Sequence, residues 1–231
     1  MKLILNTAKG IYRCVVPLFI RKSPAVRRFK TFVRGVLLSH NSIYNAQYYL
    51  RFVEGPAANS SDTISNSIIS TFNVKSVVDV GCGTGALLEA IKKKGCETFG
   101  FEYSDAAIEI CRARHLDVQK FNLESDVLNN IRKFDLAIST EVAEHLPAKF
   151  SDRYVEILCR LADVIVFTAA PPGQGGDDHV NEQLPSYWIA KFNKLGFDYS
   201  HEITKNWRVA WKNSNRVASW YYDNLMVFRR A

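Results

Sequence analysis

Residues 77–85 read Val77-Val78-Asp79-Val80-Gly81-Cys82-Gly83-Thr84-Gly85, an apolar run carrying one acid and then glycine at every second position. A buried strand that runs into such a cluster must turn sharply, and glycine there lets a ligand approach the bare backbone. Asp79 sharpens the reading, because an uncompensated carboxylate on an apolar strand is costly to bury. About 20 residues on, Glu102 closes a second strand, where an acid can bind ribose hydroxyls. A third strand ends at Phe121-Asn122-Leu123, which offers an amide beside apolar surface for a nucleobase edge. The spacing is not that of a dinucleotide fingerprint, since position 86 is alanine and the third glycine arrives one residue early. No Lys-Ser/Thr follows the loop, which excludes a phosphate-gripping P-loop.

The rest of the chain alternates strands and helices. Helical spacing covers 62–72 and strands are predicted at 77–80, 99–102, 118–121, 134–139 and 164–168. Helices are expected from 87, at 106–114, 150–161 and 186–195, the last stopped by Gly196 at a favourable C′ position. Two further strands are expected at 197–203 and 225–228, and Gly55-Pro56 with the small polar residues to 62 reads as a turn or linker. This alternation predicts an α/β fold: a doubly wound, mostly parallel seven-stranded sheet with helices on both faces, preceded by an N-terminal helical extension. The expected division is a basic extension or cap at 1–58 and a body at 59–231.

With these residues in view, the chain resembles the class I S-adenosylmethionine-dependent methyltransferases, and most closely their small-molecule branch. The resemblance rests on 77–85, on Glu102, and on the run from Phe134 through Thr140-Glu141-Val142-Ala143-Glu144-His145-Leu146-Pro147. It covers roughly 60–230, with 224–228 similar to that fold's last, antiparallel strand. It implies S-adenosylmethionine as methyl donor, bound at the carboxyl ends of strands one to four. Asp79, Gly81, Cys82, Gly83 and Gly85 would surround its methionine part. Glu102 would hold the ribose, Tyr103 would flank the adenine, Asn122 and Leu123 would meet its edge, and Thr140 would lie near the sulfonium. Tyr48 and Tyr49 stand where cap-segment aromatics close over the donor.

Transfer to a hydroxyl requires a base in the acceptor pocket. His145 follows the strand that carries Thr140, but a histidine is common there in the family whatever the substrate, so it serves as base or as loop-orienting residue. His179 is the favoured base. It lies in the glycine-rich stretch 170–183, too long for a simple connector, among Asp178, Asn181, Glu182 and Gln183. That cluster suits sugar-like hydroxyls, with Asp178 or Glu182 orienting the imidazole. A histidine with nearby carboxylates could instead bind a divalent metal, as in some O-methyltransferases, but no second histidine lies at ligand spacing along the chain, so a metal is the minority alternative.

The function expected is O-methylation of a small molecule such as a sugar, glycoconjugate or related metabolite; RNA methylation and a non-catalytic scaffold subunit are the alternatives. Nucleic acid is disfavoured, because Ser139-Thr140-Glu141 stands where DNA amino-methylating enzymes carry a Pro-Pro-Tyr motif. No cysteine is placed as a C5 nucleophile. Trp207, Trp211, Trp220, Tyr221 and Tyr222 read as pocket walls or core.

Charge separates the ends of the chain. Residues 1–58 hold ten basic residues against Glu54, whereas the remainder carries 20 basic and 22 acidic residues. Apolar and basic residues interleave at 26–38 in helical spacing, which suits contact with an anionic membrane surface, a phosphorylated acceptor, or a solvated cap face. No apolar run reaches about 18 residues, and 3–5 is too short for a signal segment. The five cysteines (Cys14, Cys82, Cys96, Cys111, Cys159) include no C-x-x-C pair. A reducing, cytoplasmic setting, peripheral to a membrane if the basic arm docks, is the expectation.

Overall fold

A computed structural model describes residues 44–129 and 132–231. The basic amphipathic segment at 26–38, and with it most of the expected extension, lies outside the described residues. The chain enters through a helical turn at Ala46–Tyr48 and a π-helical turn at Tyr49–Val53, then runs into α1, Glu54–Phe72. The turn or linker expected at 55–62 is therefore helix. Pro56 sits in the first turn of α1, just after the π turn, where a missing N–H is best tolerated. Asn73 ends α1 in the left-handed conformation at φ 48°.

The body follows as β1 (Ser76–Val80), α2 (Ala86–Lys92), β2 (Glu97–Glu102), α3 (Asp105–Ala113), β3 (Val118–Lys120) and β4 (Leu136–Thr140). Then come α4 (Ser151–Leu161), β5 (Val164–Thr168), α5 (Pro185–Lys194), β6 (Phe197–Tyr199), α6 (His201–Asn213), α7 (Ser219–Asp223) and β7 (Leu225–Arg230). The strands form one seven-stranded sheet in the order β3-β2-β1-β4-β5-β7-β6. β7 runs antiparallel to both β5 and β6, and the pairs from β3 to β5 are parallel.

Both faces of the sheet are covered, which is why its strands read as continuous apolar runs rather than alternating ones. Along β7, Met226 and Phe228 join the core beneath α4 and α5, while Leu225 and Val227 face α1 and α6. The strand expected at 197–203 stops at Tyr199, and residues from His201 form α6 instead. Helical spacing explains the difference: Trp207 and Trp211, one turn apart, stack on each other at 5.5 Å and bury against α1. Their indole N–H groups donate to Thr71 Oγ1 at 3.2 Å and Ser67 Oγ at 2.9 Å, also one turn apart. Those two aromatics are core, and each buried ring of this kind contributes roughly 1.5–3 kcal/mol.

Candidate active site

The strand order reverses between β1 and β4, and the carboxyl ends of the parallel strands β1, β2, β4 and β5 lie along one edge of the sheet. Such a switch point is where open α/β sheets bind ligands.

The wall expected to meet the donor is local in sequence. Gly81 and Cys82 donate backbone N–H bonds to the Phe101 carbonyl, at 2.8 and 3.1 Å. Glu102 then closes the loop: one carboxylate oxygen accepts from Gly83 N at 2.8 Å, and the other from Tyr103 N and Ser104 N, each at 2.8 Å. Burial nonetheless raises the Glu102 pKa, against the pull of those three donors. Asp79, 3% exposed, has an oxygen with no hydrogen-bond partner. Burial, then the nearby charge of Glu102, pushes its pKa up to about 8. The glycines differ in what they do. A Cβ on Gly81 would stand 2.5 Å from Val142 Cγ2, and one on Gly85 2.4 Å from Leu116 Cδ1, so close packing demands both. On Gly83 it would meet only Val53 and Tyr49, at 3.7 and 3.9 Å.

Tyr49 is buried over this loop. Arg114 fastens the segment down, pairing with Glu54 at 2.5 Å and donating to the Thr84 carbonyl at 3.0 Å. Tyr48 lies edge-on to Tyr49 at 5.7 Å, half-buried. The Cys82 thiol is held well above its ordinary pKa by neighbouring Cys111, then by burial, so it lines the loop as a neutral group. Tyr103 carries the Lys120 ammonium 5.8 Å from its ring centre. Asn122 accepts from Glu124 N at 2.9 Å, spending its carbonyl on its own turn, and Leu123 packs on the core. Thr140 ends β4 opposite Thr168.

The wall expected to meet the acceptor is assembled from four distant segments. Beyond β4, Glu141 adopts φ 54° and donates its N–H to Thr168 Oγ1 at 3.0 Å. Its carboxylate accepts from Asn224 Nδ2 at 3.0 Å and Gln174 Nε2 at 3.1 Å. Glu144 is wholly buried, neither of its carboxylate oxygens has a hydrogen-bond partner, and burial followed by the Glu141 charge raises its pKa well above the usual range. The Glu144 backbone carbonyl accepts from Val180 N at 2.8 Å and Asn181 N at 3.0 Å. Buried Asn181 also donates to Ser151 Oγ at 3.1 Å and accepts from Gln183 at 2.9 Å.

This clamp lays the segment after β5 on the turn Ala143–His145, bringing His179 and His145 edge to face at 5.0 Å. His145 Nδ1 lies 3.2 Å from the Tyr44 hydroxyl, and His179 Nδ1 lies 3.0 Å from Glu182. Glu182 also accepts from Gly173 N and Gly175 N, at 2.8 and 2.6 Å. Burial works to raise its pKa, but these donors and His179 leave it lowered. Of the polar cluster expected to meet substrate, Asn181, Glu182 and Gln183 are thus spent on holding the loop, and Glu182 orients the imidazole. The two histidines have no ligand spacing along the chain, yet the fold makes them neighbours.

Glu141, Glu144, Tyr44, Gln174 and Asn224 were not singled out from the sequence as site residues. Tyr221, read from the sequence as pocket wall or core, packs against the core beneath α1 and α6, and burial, then the charges of Glu141 and Asp79, raises its pKa. One signal was present: two glutamates three apart, straight after a buried strand, on a turn that buries the second.

A family described as "Methyltransferase domain" matches residues 49–208. The chain is 30% identical over 88 residues to a ubiquinone biosynthesis O-methyltransferase of Nitrosomonas europaea, covering 36% of this chain and 37% of the relative. A protein of the same name from Pasteurella multocida is 32% identical over 88 residues, covering 32% and 36%. The chain therefore matches just over a third of the length of these curated relatives. Among solved structures, magnesium protoporphyrin IX methyltransferase from Synechocystis PCC 6803 with bound SAH superposes with a TM-score of 0.62 at 17% identity, covering 87% of this chain and 100% of that one. The sugar N-methyltransferase KedS8 from a Streptoalloteichus species gives 0.61 at 14% identity, covering 80% and 92%. The chain belongs to the class I, S-adenosylmethionine-dependent methyltransferase family.

Proposed function

We propose that this protein transfers the methyl group of S-adenosylmethionine to a hydroxyl of a small molecule, such as a sugar, glycoconjugate or related metabolite. One observation carries the reading. Asp79 and Glu102 are buried next to each other at the carboxyl ends of β1 and β2, and among the described residues no Lys or Arg pairs with either of them. Such an acidic pair suits a cation, and the donor carries two positive centres, a sulfonium and an ammonium. The orphaned Asp79 oxygen fits an ammonium. When bound, S-adenosylmethionine supplies an electrophilic methyl whose departure leaves the bonding pair on sulfur.

Asp79, Gly81, Cys82, Gly83 and Gly85 would hold the methionine part, Glu102 the ribose, Tyr103, Asn122 and Leu123 the adenine, and Thr140 the region of the sulfonium. Tyr49 and the segment fastened by Arg114 exclude water from above. On the acceptor side, the Glu182 carboxylate can only accept, so His179 Nδ1 carries the proton and Nε2 is the atom that takes the hydroxyl proton. His145, beside it, orients the acceptor. The O-methyltransferase names of the two curated relatives support oxygen as the atom methylated. The basic excess in 1–58 supports an anionic membrane surface or a phosphorylated acceptor as a further contact. No helix among the described residues is long and apolar enough to cross a membrane.

Calorimetric titration with S-adenosylmethionine and its demethylated product tests the reading. Micromolar binding that Glu102→Ala abolishes is expected; absence of binding of either ligand by the unaltered protein would sink it.

A further inference from the structure

His145 and His179 meet Glu144 at the acceptor-side wall, and one ligand atom from each lies within 4.8 Å of the others. Three features of this trio point beyond a proton-transfer site. The first is Glu144, whose side chain is fully buried with neither oxygen hydrogen-bonded. A carboxylate so placed costs several kcal/mol unless something satisfies it. The second is the orientation of the imidazoles: both Nδ1 atoms face an oxygen, Glu182 for His179 and Tyr44 for His145. That is the arrangement in which an outer oxygen fixes the tautomer and turns Nε2 toward a metal, the carboxylate–histidine–metal triad being its commonest form. The third is Gly176. A Cβ there would stand 2.3 Å from His179 Nε2, so glycine is what lets the ring lie where it does.

We infer that Glu144, His145 and His179 form a divalent transition-metal site, with Glu182 and Tyr44 as outer partners. Two imidazoles and one carboxylate suit zinc, cobalt, manganese or iron, and leave positions open for an oxygen of the acceptor. Ligand atoms on one tetrahedral ion stand roughly 3.4 Å apart, given bonds of about 2.1 Å, so binding draws the three inward by about an ångström. The inference deepens the reading above and rests on it for the acceptor's place. With the ion present, His179 is a ligand, and the acceptor hydroxyl, bound through its oxygen, releases its proton to solvent instead of to Nε2.

The test uses the full chain, stripped with a chelator and titrated with Co²⁺ while calorimetry and visible absorption are recorded. One equivalent is expected to bind at micromolar affinity or tighter, with the visible absorption of a low-coordinate Co²⁺ site. Glu144→Gln and His179→Ala should each weaken binding at least 100-fold, and Glu182→Gln about 10- to 100-fold. S-adenosylmethionine titrated into the same variants reports their folding, and its affinity should stay within about twofold. Absence of Co²⁺ binding by the unaltered chain, or uptake that survives His179→Ala, would overturn the inference. If the donor binds and Co²⁺ does not, the site is refuted and the methyl-transfer reading stands. If Co²⁺ binds as described and the donor does not, the site stands and that reading falls.

Discussion

The two walls of the cleft are built differently. On the donor side, residues 79–104 supply nearly everything: strand, glycine turn, strand, and an acid that accepts hydrogen bonds from the turn and from the start of the next helix. On the acceptor side, residues near 44, 141–145, 174–183 and 224 must converge, and no two of these segments are neighbours in the chain. The donor wall is stabilised by backbone geometry, which tolerates few residue types. The acceptor wall depends on side chains clamping one loop to another.

The sharpest way to break this division is at His179. His179→Ala should lower kcat about 10²- to 10⁴-fold while donor affinity stays within about twofold, measured by single-turnover methyl transfer beside calorimetry. Loss of donor binding in that variant would show that the two walls are not independent.

Glu102→Ala is the mirror experiment. It removes the acceptor of three backbone N–H bonds and should weaken donor binding at least 100-fold in the same calorimetric assay.

Asp79 sharpens the comparison through pH. Its folded-state pKa of about 8 lies above its unfolded value of 3.8, so the unfolded chain ionises first. The ligand-free protein should therefore lose stability as pH rises from about 4 to about 8, and Asp79→Asn should flatten that slope while raising stability at pH 8 by about 5 kcal/mol. Denaturant unfolding across that range checks both. Pairing with the donor's ammonium requires the ionised carboxylate, so donor affinity should rise about tenfold per pH unit up to about pH 8, with a proton released on binding. An affinity flat between pH 6 and 8 would remove Asp79 from the donor wall.

Asn181→Ala gives the smallest expected effect. Its side chain joins the loop to Ser151, so its loss should cost about 1–3 kcal/mol of stability and lower kcat about tenfold by freeing His179 from His145. Thermal melts and single-turnover kinetics report the two parts separately.

Much of the donor wall was legible in the sequence because its contacts are short-range and written in residue types. Glycine at 81, 83 and 85, an acid on the strand before and an acid at the end of the strand after specify a turn and its closure within 24 residues. The alternation of elements likewise predicted a doubly wound sheet, and the boundaries came close wherever a strand was buried on both faces. The misreadings have physical causes. Gly55-Pro56 signals a turn, but a π turn places the proline where a helix needs no N–H from it. Phe197, Tyr199 and Ile203 fall at alternate positions and pass for one strand, but burying Trp207 and Trp211 on one face of α6 requires a helix from His201.

The sequence by itself determined the fold class, the glycine turn and the acids that belong to it, since local geometry and the burial pattern of the strands suffice for those. Only the tertiary structure decided that Glu144, His145 and His179 share one wall and that Glu182 stands behind His179 rather than meeting substrate. The reason is distance along the chain. Where β4 and β5 lie side by side their loops must touch, but which side chains then face each other depends on the Asn181 clamp and on the left-handed turn at Glu141. No spacing within the sequence encodes those contacts.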